Sequence, residues 1–146
     1  MDNLIKKLQA LQKFLTDGVY DVVCVEAENF YRKTFDMEGF TDRGFRKWDN
    51  VQRKLRPART KSEKTLAGRP ILTESGDLKK SVHAEKKPPY VIIHADREYA
   101  QVHNEGGMSG RTGRQFVMKQ RQFIGKSAAL NERITSGITR RIKNLK

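Results

Sequence analysis

Leu4, Ile5, Leu8, Leu11 and Leu15 recur at steps of one, three, three and four residues, with Lys6, Lys7, Gln9 and Lys13 off the stripe, which predicts an amphipathic helix. Asp17 and Gly18 interrupt this pattern. Val19, Val22, Val23, Ala27, Phe30 and Tyr31 then begin a second stripe, with Glu26, Glu28 and Arg32 facing away and Asp17 placed as an N-cap. The β-branched residues around Cys24 would also suit a strand, but the stripe continues through Phe30 and Phe35 and so favours a helix. Between Gly39 and Arg69 the periodicity fails. Arg46, Lys47, Arg53, Lys54, Arg56, Arg59, Lys61, Lys64 and Arg69 accumulate there, with Trp48 and Leu55 as isolated apolar anchors. This predicts a long, solvated basic arm, the alternatives being partial disorder or a short helix around Asp49 to Leu55.

After Pro70 the texture changes. Leu78, Val82 and Ala84 alternate loosely, and Tyr90 to His94 is a β-prone run behind Pro88 and Pro89, so two paired strands are expected with a short link from Glu85 to Pro89. Tyr99 to His103 reads as a helical turn ending at Gly106 and Gly107. Met108 to Gly113 reads as a flexible loop, and Gln115 to Phe123 as another strand. Ser127 is placed to cap a final helix whose stripe is Leu130, Ile134, Ile138, Ile142 and Leu145, with Arg140, Arg141, Lys143 and Lys146 in its last turns. The expected fold class is α+β: N-terminal helices (1–38), a basic arm (39–70), a β-rich core with a small antiparallel sheet (71–125) and a C-terminal helix (126–146), all in one domain spanning 1–146.

Composition sharpens this picture in two ways. Apolar residues make up 36% and charged residues 32% of the 146, so part of the chain must be solvated or gain order against a partner. The formal charge of +13 creates a positive field that attracts acidic or phosphate-rich surfaces, though excess Lys and Arg also serve solubility alone. Cys24 is the single cysteine, which excludes an intramolecular disulfide and a thiolate zinc cluster and fits a reducing compartment. Charges within Met1 to Leu15 break any signal-peptide core, and no apolar run of about 20 residues could span a bilayer. A cytoplasmic protein without membrane association is expected.

Candidate chemistry is sparse. His83, His94 and His103 lack the close pairing of zinc ligands, although two rings could meet if strands align. Ser75 and Ser109 lack a nucleophile elbow, and Cys24 sits among valines without a base. Asp96, Glu98 and Glu105 near His94 or His103 are as well explained as solvated carboxylates. The run Gly106 to Arg114 has the glycines of a phosphate cradle but not the Gly-Lys-Ser/Thr ending of a P-loop; Arg111 and Arg114 are still placed to grip phosphate or an acidic surface. In the arm, Phe45 and Trp48 beside Arg46 and Lys47, with Arg53 and Lys54 further on, could combine stacking with phosphate neutralisation. No catalytic residue, metal ligand or cofactor site is assigned.

Three separated elements carry a resemblance. Leu72, Ser75, Gly76, Leu78 and Ser81, then Tyr99, Ala100, His103 and Gly106, then Arg121, Phe123 and Gly125, follow the order and spacing of the phage virion morphogenesis, or tail completion, family, which this chain resembles from Ile71 to Gly125. The resemblance implies a structural virion assembly factor acting in tail completion or head-tail joining. It also implies a homo-oligomeric ring that contacts other head-tail or tail proteins, made in the bacterial host cytoplasm and then carried in the virion. The motif residues have fold-keeping roles that suit their types, since Leu78, Val82 and Phe123 can enter the core and Gly76 and Gly106 can supply turns. A non-specific nucleic-acid-binding protein is the alternative, and a small hydrolase centred on His103 a remoter one.

Overall fold

A computed structural model describes residues 1–145 of the chain. The first element, α1 (Asp2–Lys13), does not stop at Asp17 and Gly18. It runs through a π-helical turn, Phe14–Gly18, directly into α2 (Val19–Met37), a continuous rod of roughly 50 Å. The expected break is therefore corrected. A π turn takes one residue more than an α turn, which absorbs the change of phase between the two apolar stripes. Phe14 folds over Gly18 so closely that a Cβ there would lie 2.5 Å from Phe14 Cδ2, so glycine serves here as space and not as a break. Asp17 caps nothing; its carboxylate takes a 2.9 Å hydrogen bond from Lys86 Nζ.

The valine-rich run around Cys24 is helical, as the Phe30–Phe35 continuation predicts. Ala27, Phe30, Tyr31, Thr34 and Phe35 form the buried face of α2. Against it pack Trp48, Ile71, Leu78, Val82, Phe123 and Leu130 in one apolar cluster. Phe35 is its hub, with Trp48 edge-on at 5.8 Å between ring centres and Phe123 tilted at 5.1 Å.

The segment expected to be a structureless basic arm carries regular structure. Gly39–Thr41 (β1) and Phe45–Lys47 (β2) form an antiparallel hairpin, followed by α3 (Gln52–Leu55) and α4 (Lys61–Gly68). α3 realises the short-helix alternative, and α4 is started by a capping box between Thr60 and Glu63. Glu38 ties the segment down. Its Oε1 accepts hydrogen bonds from Lys54 Nζ at 2.6 Å and from the Ile71 backbone N–H at 2.7 Å. Charge density hid this structure because three of the cations serve it, Arg53 and Arg69 bonding main-chain carbonyls and Lys54 bonding Glu38.

The remaining elements are α5 (Asp77–Lys80), β3 (Val82–Lys87), β4 (Tyr90–Ala95), α6 (Ala100–Glu105), β5 (Gly107–Ser109), β6 (Phe116–Met118) and α7 (Ala128–Lys143). The expected strand pair is present, but Leu78 belongs to α5, and the link shrinks to Pro88 and Pro89. The strand expected over Gln115 to Phe123 is confined to β6, which pairs with β5 where a loose loop was expected. Strands occur as separate two-stranded ribbons, not as a single small sheet. Ser127 caps α7 as expected, its Oγ accepting from Leu130 N–H at 3.1 Å, and α7 lies along α2 with Gly137 against Val22 and Arg133 against Glu26. Lys146, expected in the last turn, lies outside the described residues. The class is α+β.

Candidate functional site

The three motif elements meet. Gly76, at φ 75°, starts α5, which drops Leu78 into the core; Ser81 Oγ then donates to the Leu78 carbonyl at 2.8 Å and leads into β3. In the second element Ala100 is buried and Gly106, at φ 76°, ends α6. A Cβ on Gly106 would sit 3.0 Å from Gln120 N and 3.1 Å from Met118 O, so the strand end leading to the third element runs directly over this glycine.

The second and third elements are then stitched together by one main-chain bond and two bonds to the Asn104 side chain. His103 O accepts from Arg121 N–H at 2.7 Å. Asn104 Oδ1 accepts from both Phe123 N–H and Ile124 N–H, each at 2.9 Å. Gly125 O accepts a hydrogen bond from the Tyr31 hydroxyl at 2.7 Å, fastening the third element to α2. Asn104 escaped the sequence reading because it occupies a spacer position of the Tyr99–Gly106 motif. Tyr31, Glu38 and Asn104 act through partners 16 to 94 residues away, which no local pattern displays.

Where the elements converge they border a cleft of about 440 Å³, to which the first contributes Leu72, Ser75 and Leu78, the second Tyr99 and His103, and the third Arg121, with Arg53 also in its lining. Arg121 is only 6% exposed. Its Nε and Nη2 both reach the Asp49 carbonyl at 3.3 Å, and its Nη1 lies 4.0 Å from Met118 Sδ. Among the described residues it makes no ion pair with a carboxylate. Burial pulls its pKa down, an effect opposed by Asp49 and reinforced by Arg53, though a guanidinium stays charged. His103 stands edge-on to Tyr99 at 5.8 Å between ring centres, and its Nδ1 is buried without a partner among the described residues. Burial first, and then the Arg121 cation, hold the imidazole below its ordinary pKa and therefore neutral at pH 7.

The basic candidates divide. Trp48 is in the core at 6% exposure, its indole N–H donating to Gln122 O at 2.9 Å, so its expected role as a stacking platform is corrected: the base-stacking face is covered by protein. Arg46 donates to Gln122 Oε1 at 2.8 Å, Lys54 to Glu38, and Arg53 to the carbonyls of Leu66 and Pro70. Lys47, Arg111 and Arg114 are exposed, and their side chains make no hydrogen bond or ion pair among the described residues. Arg111 and Arg114 stand at the tip of the β5–β6 ribbon, and Lys47 is on β2.

The histidines do not gather. His83 and His94 face each other across β3 and β4 with ring centres 6.3 Å apart, His94 also pairing with Asp96, while His103 belongs to the cleft. Among the described residues no three His, Cys, Asp or Glu side chains form a group able to hold a metal ion. Burial, then Asp21 and Glu28, raise the Cys24 thiol, the opposite of what a nucleophile needs.

These features define an α+β protein whose distinctive sequence elements are knitted into one face, with the cleft at their junction. The sequence profile of the phage virion morphogenesis family matches residues 46–143. The chain belongs to that family, and its role is a structural one in phage assembly. No curated protein and no solved structure was found to match it. The matched region begins on β2, so α1, α2 and β1 lie outside it.

Proposed function

We propose that the protein acts in tail completion or head-tail joining, assembling as a homo-oligomeric ring that contacts other head-tail or tail proteins and works by subunit contact instead of catalysis. It would act in the bacterial host cytoplasm and remain in the virion. Beside family membership, one observation carries the reading: α1 has no buried residue, and Leu4, Ile5, Leu8 and Leu15 are each at least half exposed. The α1 end of the rod packs on nothing in its own chain among the described residues, so an apolar stripe of this kind is suited to being covered by another chain. Where α1 joins α2, the stripe leads to an open groove of about 360 Å³ between α2 and the end of α7, floored by Phe14, Val22 and Val25. A projecting helix and a groove at its root on the same chain can serve as the two halves of a head-to-tail contact, the kind that closes into rings.

The test uses light scattering after size exclusion, together with restoration of particle joining in an extract lacking the protein. Wild-type protein should form a discrete oligomer and restore joining, and Leu8→Asp should be monomeric and inactive with an unchanged unfolding temperature. A monomer at all concentrations, or full restoration by Leu8→Asp, would overturn the reading.

Non-specific nucleic-acid contact is kept as a second reading because Arg111 and Arg114, at a ribbon tip, have no side-chain partner among the described residues. Removing both should reduce the salt dependence of DNA affinity by about two counterions. Unchanged salt dependence would rule them out as the contact.

A further inference from the structure

The cleft between the motif elements has a charge imbalance that the assembly reading does not use. Arg121 is buried, yet the acceptor for two of its nitrogens is a single neutral carbonyl, that of Asp49. A guanidinium has five N–H groups, and one withdrawn from water without a carboxylate is an unusual and costly arrangement. Arg53 borders the same cleft. Its Nε and Nη2 are held by the Leu66 and Pro70 carbonyls at 3.1 and 3.0 Å, which fixes the guanidinium and leaves Nη1 without an acceptor among the described residues. His103 adds a neutral ring whose Nδ1 has no partner among the described residues. The one carboxylate bordering the cleft, Glu74, is on an exposed loop and forms no ion pair among the described residues, so the cleft does not satisfy its own cations.

We propose that this cleft receives a carboxylate on a short aliphatic stem, an Asp or Glu side chain from an acidic segment of a partner chain, with Arg121 and Arg53 as the receiving guanidiniums. The guanidinium fork matches a carboxylate in shape as well as charge. The walls provided by Val51, Leu72 and Leu78 suit methylene groups, and they argue against a nucleic-acid backbone, whose evenly spaced charges are better met by exposed cations. The net charge of +13 favours an acidic partner at long range. The identity of the partner as a virion protein rests on the assembly reading; the carboxylate chemistry does not.

The probe is N-acetyl-glutamate N-methylamide, titrated into the full chain and followed by NMR at the arginine Nε–H groups and the histidine ring. Its uncharged glutamine counterpart and inorganic phosphate serve as comparisons. Saturable shifts at Arg121, Arg53 and His103 are expected with the glutamate compound alone. Affinity should fall at least about tenfold in Arg53→Met and in Arg121→Lys, which keeps the charge but loses the fork. Arg53 is only partly buried, so Arg53→Met keeps the test valid if Arg121→Lys unfolds. Absent shifts, equal shifts from the glutamine compound, or tighter saturation by phosphate would each overturn the proposal. Because no particle is involved, failure here combined with loss of joining in Leu8→Asp would reject the cleft and leave the assembly reading standing.

Discussion

Replacing Asn104 by alanine tests whether the motif elements are held together as the geometry indicates. The Asn104 amide oxygen accepts from two successive backbone N–H groups, those of Phe123 and Ile124, both at 2.9 Å. Because both partners are donors, the oxygen must face them, and the amide nitrogen has no partner among the described residues. Alanine leaves both N–H groups without an acceptor beside Phe123, which is 1% exposed and packs on Phe35. At about 1–3 kcal/mol for each stranded donor, and taking the lower half because the site is part-buried, the loss is about 2–4 kcal/mol. For a chain of this size that is roughly a 6–12 °C fall in Tm, read by calorimetry and by the urea midpoint at unchanged slope. Asn104→Asp retains the acceptor and should cost no more than about 1 kcal/mol. A Tm for the alanine variant within about 2 °C of wild type, or an aspartate variant as unstable as the alanine one, would refute the reasoning.

Gly106→Ala combines a positive φ with backbone 3.0 Å from the added carbon, so it should cost about 2 kcal/mol or more, whereas Gly107→Ala at φ 122° has open space and should show only the conformational penalty; urea unfolding of the two variants separates the effects. His103 makes stability depend on pH. Its folded pKa is depressed, so the folded state binds fewer protons than the unfolded one, and its contribution is complete above the ordinary histidine value near 6.5 and is lost as pH falls through that value toward the folded pKa. His103→Gln should flatten the urea midpoint across that window, and an unchanged slope would show that the ring is not shielded as described.

Much of the fold was legible because apolar periodicity reports on which residues share one face of an element. The stripes of α1, α2 and α7, the Ser127 cap, the β3–β4 pair and the turn at Gly106 are all local patterns read at their own positions. The failures share one cause. Asp17 and Gly18 looked like punctuation because their partners, Lys86 for the carboxylate and Phe14 for the missing Cβ, are not part of a cap or turn pattern. The basic segment looked unstructured because Trp48 is a single apolar residue among many cations, and its packing on Phe35, like the bond of Lys54 to Glu38, depends on residues outside the segment. The cleft was legible only as a set of spaced residues. That Arg121 is buried, and that Arg53 borders the same cavity, comes from chain segments about 70 residues apart meeting in space, as Arg121 and Asp49 do.

The π-helical turn at Phe14–Gly18 also sets a direction. Successive residues of an α-helix are about 100° apart, so the one extra residue in the turn decides which way the stripe of Leu4, Leu8 and Leu15 points relative to α2. Deleting one residue there while keeping every side chain of α1 would swing the stripe by about that angle and leave the core on α2 untouched. The bearing of the N-terminal helix is thus encoded not in the helix itself but in a count of residues at its root.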